Sequence, residues 1–147
     1  MKKNLERFTI IPIISERQCI LISNSDPRSN LSKLTFRDLD GGAVVSGPEN
    51  SLDDLVMKEN CKQYGISFSK TYRADKIEAV MSLVSSGKGV AFGPASFARQ
   101  YNVGAVPMEP ENYIPLNLIY LKSNKVSPMF IALEEKLKNF VAAKDND

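Results

Sequence analysis

The sequence predicts an α/β domain in which helices flank a mixed, mostly parallel sheet. Short apolar runs typical of buried strands alternate along the chain with helical segments that carry one apolar face, which is the pattern of a layered α/β domain. The 147 residues suffice for one domain, and 43% of them are hydrophobic, so a core can be filled. No apolar run approaches the roughly 18 residues of a membrane span.

The chain opens with extended segments. Residues 8–14 and the apolar run at 18–23 (QCILIS) are predicted strands, and residues 24–32 form a loop rich in turn residues. Residues 34–39 predict one helical turn, after which two glycines open the strand 43–46.

A small polar loop, residues 46–51 (SGPENS), joins this strand to a helix that begins near Leu52 and ends at Gly65. Ser51 and Asp54 stand at the spacing of a capping box. Because the first N–H groups of a helix have no partner within the helix, this loop is a candidate anion site.

Acidic side chains oppose that interpretation. Glu49, Asp53 and Asp54 lie in or beside the loop, where they repel an anion and satisfy the helix dipole themselves. An ordinary capped loop between a strand and a helix is therefore the alternative interpretation of residues 46–51.

Residues 67–72 predict the next strand, which ends at Tyr72 and Arg73. Both side chains could line a ligand cleft, and the Arg73 guanidinium could grip a carboxylate with two N–H groups. An exposed loop arginine is the alternative.

The following helix is predicted from Asp75 as its N-cap, with Glu78 completing a capping box. A glycine-rich turn then leads into the strand 90–92, and Gly93 lies at its carboxyl end, where such sheets bind ligands. Pro94 would occupy the first position of a helix over 95–101.

The last predicted elements are strands at 103–108 and 116–121 and a helix that begins at Ser127 and Pro128. One apolar stripe runs along that helix, formed by Phe130, Leu133, Leu137, Phe140 and Val141.

Residue usage excludes several kinds of chemistry. The chain has no histidine, so a Ser/His/Asp triad, a Cys/His pair and histidine-bound metals are excluded within it. Cys19 and Cys61 are predicted to be buried, reduced thiols. The run SGKG at 86–89 lacks the earlier glycine of a phosphate-binding loop, since Ser82 stands there. We expect neither an enzyme nor a cofactor.

The run at 79–98 (AVMSLVSSGKGVAFGPASFA) resembles the late part of the effector-binding domain of LysR-type transcriptional regulators. In that family a helix ends in the pattern lVaaGlGialLP, which is matched in type by Leu83, Val84, Gly87, Gly89, Val90, Ala91 and Pro94. Pro94 falls one place later than usual, because Gly93 intervenes. Residues 31–51 and 127–140 also resemble family segments, so the resemblance runs from about residue 16 to residue 140.

This resemblance implies a periplasmic-binding-protein-like fold of type 2, in which two lobes are joined by crossing strands. Residues 18–23 and 116–121 would be the crossing strands, 43–108 the second lobe, and 127–142 a helix that returns to the first lobe. Residues 1–147 would be a partial effector-binding domain that lacks the helix-turn-helix and the start of the first lobe. DNA would be bound only through that absent domain.

The implied function is to sense a small effector that controls transcription. The family places effector contacts after the strand 43–46, and the helix N-terminus there favours an anionic metabolite. The candidate ligand-binding residues are Ser46, Gly47, Pro48, Asn50, Ser51, Tyr72 and Gly93.

The alternative is a solute-binding protein of a transporter, which shares the fold class. No export signal is evident, so we expect a cytoplasmic protein with no membrane partner. The stripe on the last helix has lost its usual covering lobe, so we expect a homodimer or higher oligomer that buries it.

Overall fold

Seven strands and four helices make up the described part of the chain, which in this computed structural model is residues 6–123 and 127–144. The chain divides into a larger unit, residues 17–113, and a smaller unit made of residues 1–16 and 114–147. No helix in the described ranges is both long and apolar enough to cross a membrane.

The strands are β1 Phe8–Ile22, β2 Leu34–Thr35, β3 Ala43–Ser46, β4 Lys70–Arg73, β5 Ala91–Pro94, β6 Gly104–Glu109 and β7 Tyr113–Leu121. The helices are α1 Leu52–Tyr64, α2 Ile77–Ser85, α3 Ser96–Tyr101 and α4 Pro128–Lys144. Two short 3₁₀ turns cover Pro27–Asn30 and Phe36–Leu39.

The larger unit contains a mixed sheet in the order β2-β6-β1-β5 and a parallel two-stranded sheet, β3-β4. Five of these six strands point the same way, in agreement with the predicted mixed, mostly parallel arrangement. β3 pairs with β4 in parallel, and a parallel bridge from Val44 to Val90 connects β3 to the start of β5. β1 lies between β5 and β6 and is antiparallel to both, while β2 pairs with β6 in parallel. Strands β2 to β6 therefore all point the same way, and their carboxyl ends share one edge of the sheet.

The core of the larger unit lies on both faces of β1. Because successive side chains of a strand point to opposite faces, Ile20 and Ile22 enter one apolar cluster and Leu21 enters the other. The first cluster includes Phe36 and side chains of α1, and the second includes side chains of α2 and α3. Burial on both faces explains why residues 19–22 form a continuous apolar run.

Several predicted boundaries were wrong. Residues 8–14 and 18–23 belong to one continuous strand, β1, rather than to two. The predicted helical turn at 34–39 starts as the strand β2, because Leu34 pairs with Met108, and becomes a 3₁₀ turn at Phe36. β7 begins at Tyr113 rather than at residue 116.

Two helix starts were also wrong. The N-cap of α2 is Lys76 instead of Asp75, and its side chain makes no capping hydrogen bond. Pro94 lies in β5, where it is paired with Gln18 of β1, and the Ala95 N–H adds a hydrogen bond to the Arg17 carbonyl oxygen at 3.2 Å. α3 therefore begins only at Ser96.

The two cysteines are free thiols, and they differ in burial. Cys19 is buried in β1, whereas Cys61 in α1 is only partly buried, so the prediction of two buried thiols was wrong for Cys61. Burial raises the pKa of both thiols, which favours the protonated form.

Two glycines shape the turn between α2 and β5. Gly87 has a φ of +73°, a left-handed conformation that favours glycine after a helix. Gly89 is needed for space, since a Cβ there would lie 2.8 Å from the Ala43 carbonyl oxygen. The same oxygen accepts a hydrogen bond from the Val90 N–H at 3.0 Å, so Gly89 permits β5 to approach β3.

The smaller unit has little core of its own in the described residues. β7 pairs with β1, and the Tyr120 ring contacts the Phe130 ring of α4 with centroids 5.5 Å apart. Its buried hydrophobic side chains are Ile11 and Tyr120, whereas seven large hydrophobic side chains are exposed: Ile10, Leu116, Ile119, Met129, Ile131, Leu133 and Phe140.

The predicted stripe on α4 is only partly covered within this unit. Phe130 and Leu137 are half-buried, while Leu133 and Phe140 are exposed. The Val141 side chain lies outside the described residues. Met129, Leu133 and Phe140 fall on one face of the helix, at spacings of four and seven residues.

We predict that Gly89→Ala destabilises the larger unit by about 1–3 kcal/mol, because the added Cβ forces β5 away from the Ala43 carbonyl group. Chemical denaturation of the wild type and the variant measures this difference. Lys88→Ala changes an exposed neighbour and is the matched control. Equal unfolding free energies for Gly89→Ala and the wild type would contradict this account of the turn.

Self-association through α4 stays a prediction, with a second copy of the chain as the partner. The exposed apolar side chains of Met129 and Leu133 favour association, so we expect the mass from light scattering to rise with protein concentration. Replacing Met129 and Leu133 together by lysine should shift the protein toward the monomer. Asn139→Lys adds a charge to the same helix without removing an apolar group and should leave the mass unchanged. A monomer at every concentration would refute the prediction.

Candidate ligand-binding site

The candidate site lies at the edge of the sheet where β3, β4 and β5 end. Ser46 ends β3 and is paired with Arg73, the last residue of β4. Because these strands are parallel, the loop after β3, the end of β4 and the end of β5 all belong to one edge. The predicted binding residues thus come from three neighbouring strand ends.

The loop between β3 and α1 has a defined backbone conformation. Ser46 is buried, whereas Pro48 and Asn50 are exposed. The Ser51 N–H donates to the Pro48 carbonyl oxygen at 3.1 Å, which closes a tight turn. Asn50 has a φ of 63°, in the left-handed region that asparagine tolerates better than most residues.

The start of α1 matches the predicted N-cap. The Asp54 N–H donates to Ser51 Oγ at 3.3 Å, and the helix ends at Gly65 with a φ of 64°. The predicted capping box is only half formed, because the Asp54 carboxylate accepts from the Asn50 N–H instead of the Ser51 N–H. Ser51 cannot supply that hydrogen, since its N–H already donates to Pro48.

Asp54 is a completely buried carboxylate with three partners. Its oxygens accept from the Asn50 N–H at 2.8 Å, from Lys58 Nζ at 2.8 Å and from Arg73 NH1 at 2.9 Å. The hydrogen bond from Lys58, followed by those from Asn50 and Arg73, holds the pKa of Asp54 well below its ordinary value. The side chain is therefore a fixed negative charge that two cations surround.

Arg73 is exposed at the end of β4 and bonds two groups of the chain itself, and ligand contact by its guanidinium stays a prediction. Its NH1 group donates to Asp54 Oδ1 at 2.9 Å and to the Gly47 carbonyl oxygen at 3.2 Å. The guanidinium thus ties the end of β4 to the loop and to α1, and one third of the side chain is exposed.

Tyr72 and Gly93 have clear structural environments. The Tyr72 ring packs against the cluster on the α2 side of the sheet, and Lys70 Nζ lies 4.5 Å from its centroid. Gly93 lies within β5 rather than after it, paired with Cys19. A Cβ at Gly93 would lie 2.8 Å from Leu21 Cδ1, so close packing by itself accounts for a glycine there. Ligand contact by either residue stays a prediction.

A separate cavity of about 210 Å³ lies elsewhere in the larger unit. Its lining comes from the start of the β1 segment of this unit, the 3₁₀ turn at Phe36, the second half of α1 and the chain after β6. It shares no residue with the predicted binding residues. Glu111 at its edge is paired with Arg17, which neutralises the carboxylate.

Sequence reasoning missed the Asp54–Arg73 ion pair. From the sequence, Asp54 satisfies the helix dipole, and Arg73 either grips a carboxylate ligand or is an exposed loop arginine. The two residues lie 19 positions apart, so nothing in the local pattern pairs them. The available signal was the order of the strands: if the predicted strands 43–46 and 67–72 are parallel neighbours, Arg73 comes beside the start of α1.

The free energy of unfolding should depend on pH through the Asp54 carboxyl group. A carboxyl group whose folded pKa is depressed stabilises the fold above its unfolded pKa of about 4, and this contribution is lost as the pH falls toward the folded value. We therefore predict that Asp54→Asn lowers the melting temperature at pH 7 by several degrees and that the difference from the wild type shrinks between about pH 5 and pH 2.

Comparing the melting temperatures of the wild type and Asp54→Asn isolates the contribution of the Asp54 carboxyl group. The pKa of Asp26, lowered by Arg28, and that of Asp38, lowered by the Thr35 N–H, affect both proteins equally. Asp53→Asn removes an exposed carboxylate from the same helical turn and should have a much smaller effect. A constant difference between Asp54→Asn and the wild type across this pH range would refute the prediction.

Solved structures with similar folds include effector-binding and regulatory domains. The domain of QuiR in complex with shikimate superposes with a TM-score of 0.70 at 17% identity, covering 96% of this chain and 66% of that chain. The BenM effector-binding domain with its effector benzoate has a TM-score of 0.73 at 19% identity, and the match covers 99% of this chain and 68% of that chain. The regulatory domain of CcmR from Synechocystis PCC6803, in complex with 2-PG, has a TM-score of 0.76 at 10% identity, and the match covers 88% of this chain and 65% of that chain.

These similarities establish the fold, which is the type 2 periplasmic-binding-protein-like fold. The chain spans about two thirds of the length of the solved domains it matches. A comparison with curated proteins finds no match. The sequence matches the LysR substrate binding domain over residues 2–142, nearly its whole length. The chain therefore belongs to the LysR substrate-binding domain family.

Proposed function

We propose that this chain is the ligand-sensing portion of a LysR-type transcriptional regulator and that it binds a small anionic metabolite. Membership in the family supports the sensing role. The observation that carries the choice of site is the loop of residues 46–51, which is held in one conformation at the N-terminus of α1. The proposed ligand contacts are Ser46, Gly47, Pro48, Asn50, Ser51, Tyr72 and Gly93.

The electrostatics of the loop favour an anion more than the sequence suggested. Asp54 is paired with both Lys58 and Arg73, so its negative charge is compensated and does not repel an anion at the loop. Of the three acidic residues near the loop, Glu49 and Asp53 are exposed, where water screens them. The first N–H groups of α1 add a partial positive charge at the same place.

The ligand chemistry of similar proteins is consistent with this choice. QuiR was solved with shikimate and BenM with benzoate, and both compounds carry a carboxylate. Family membership does not favour the alternative of a transporter's solute-binding protein. We assign no catalytic role, because the family and its solved relatives are regulatory. Control of transcription would require a DNA-binding helix-turn-helix, and we attribute no DNA contact to residues 1–147.

Thermal unfolding with a panel of small carboxylates, amino acids, sugars and inorganic anions tests the proposal. A ligand at about 100 times its dissociation constant adds roughly 2.7 kcal/mol. For a chain of this size, that corresponds to a rise in melting temperature of about 5–10 °C. We expect such a rise with one class of carboxylates and none with neutral sugars.

The variant Asn50→Gly locates the binding site. Glycine adopts the positive φ of residue 50 without strain, so the variant removes the exposed amide side chain and retains the loop conformation. We expect the ligand-induced rise to shrink while the melting temperature of the free protein stays nearly unchanged. Asn139→Gln, on the exposed surface of α4, is the control. An undiminished rise in Asn50→Gly would place the ligand elsewhere, and a flat panel would contradict anion sensing by this chain.

A further inference from the structure

The loop of the candidate site makes hydrogen bonds to both members of the Asp54–Arg73 ion pair. Arg73 NH1 donates to the Gly47 carbonyl oxygen at 3.2 Å and to Asp54 Oδ1 at 2.9 Å. Asp54 Oδ2 in turn accepts from the Asn50 N–H at 2.8 Å. The two ends of the exposed segment Pro48–Glu49 are therefore tied to the same pair of side chains.

The same ion pair connects three elements of the larger unit. Arg73 ends β4, Asp54 lies in the first turn of α1, and Gly47 follows β3 directly. The Ala74 N–H donates to the Ser46 carbonyl oxygen at 3.1 Å, so the ends of β3 and β4 are also joined by the backbone. Because Asp54 is fully buried, water does not compete for these bonds at the carboxylate.

Lys58 provides an internal comparison. Its Nζ binds Asp54 Oδ2 at 2.8 Å, one helical turn along α1, and half of its side chain is exposed. Lys58 and Arg73 both bind the Asp54 carboxylate, but the ion pair of Lys58 joins two residues of the same helix, α1. Replacing Lys58 removes one of the two cations that pair with Asp54. Replacing Arg73 removes the other cation and also the hydrogen bond to the Gly47 carbonyl oxygen.

We propose that Asp54 and Arg73 are positioning residues that hold the loop of residues 47–50 in the ligand-binding conformation. This inference rests on the proposed function of the loop. Neither residue contacts the ligand in this proposal. They act by preorganisation, since a loop that is ordered before binding loses less conformational entropy when the ligand arrives.

The first test measures the loop without any ligand. In Arg73→Met, hydrogen exchange of the backbone amides at residues 50 and 51 should accelerate by at least about 10-fold relative to amides in the middle of α1. Arg73→Lys should largely restore slow exchange, because one ammonium group can donate to both acceptors that NH1 serves. Lys58→Met should leave the exchange of these amides near the wild-type rate.

The second test measures binding, with benzoate and inorganic phosphate as probes. For a probe that the wild type binds, Arg73→Met should weaken affinity by about 10-fold or more, Arg73→Lys should recover most of it, and Lys58→Met should change it little. If the wild type binds neither probe, the affinities are measured with the carboxylate that raises the melting temperature in the panel above, and the exchange experiment by itself decides whether the ion pair holds the loop.

Three results would overturn the inference. Unchanged exchange at residues 50 and 51 in Arg73→Met shows that the ion pair does not hold the loop. Equal effects of Arg73→Met and Lys58→Met show a general loss of charge balance. Faster exchange with unaltered affinity shows that the held conformation does not matter for binding. A melting curve for each variant confirms that it is folded under the conditions of both tests.

Discussion

The burial of β1 on both faces is the constraint on which the larger unit depends. Ile20 and Ile22 fill one apolar cluster and Leu21 fills the other, so a single strand segment joins the two halves of the core. Every strand that flanks it must place its own apolar side chains against these clusters. A polar residue in this segment would lie among apolar side chains on either face, where an unpaired polar group is costly.

This arrangement also determines where a site can form. With β2 to β6 pointing the same way, their carboxyl ends meet at one edge, and the loops that follow them are brought together there. Close packing restricts side-chain size near this edge, since a Cβ at Gly89 would clash with the β3 backbone and a Cβ at Gly93 would clash with Leu21. The loop of residues 46–51 is an exposed polar segment at this edge, and its position follows from packing around it.

The buried carboxylate of Asp54 stabilises the conformation of the loop of residues 46–51. An isolated carboxylate in the interior would be neutralised, but Asp54 is ionised because two cations and one backbone N–H surround it. Its partners are the groups that define the loop: the N–H of Asn50 directly, and the carbonyl group of Gly47 through Arg73. The charge of the acidic residue that seemed to oppose anion binding is thus compensated by two cations, and the acidic side chains that remain beside the loop are the exposed Glu49 and Asp53.

The sequence by itself determined the fold class, the order of most strands and helices, and the N-cap at Ser51, since apolar periodicity and capping chemistry are local. It also pointed to the loop after β3, because a polar turn between a strand and a helix is visible in the residues. The tertiary structure alone decided the direction of β1, the late start of α3 and the pairing of Arg73 with Asp54. These depend on contacts between segments far apart in the chain, for which local patterns carry no information.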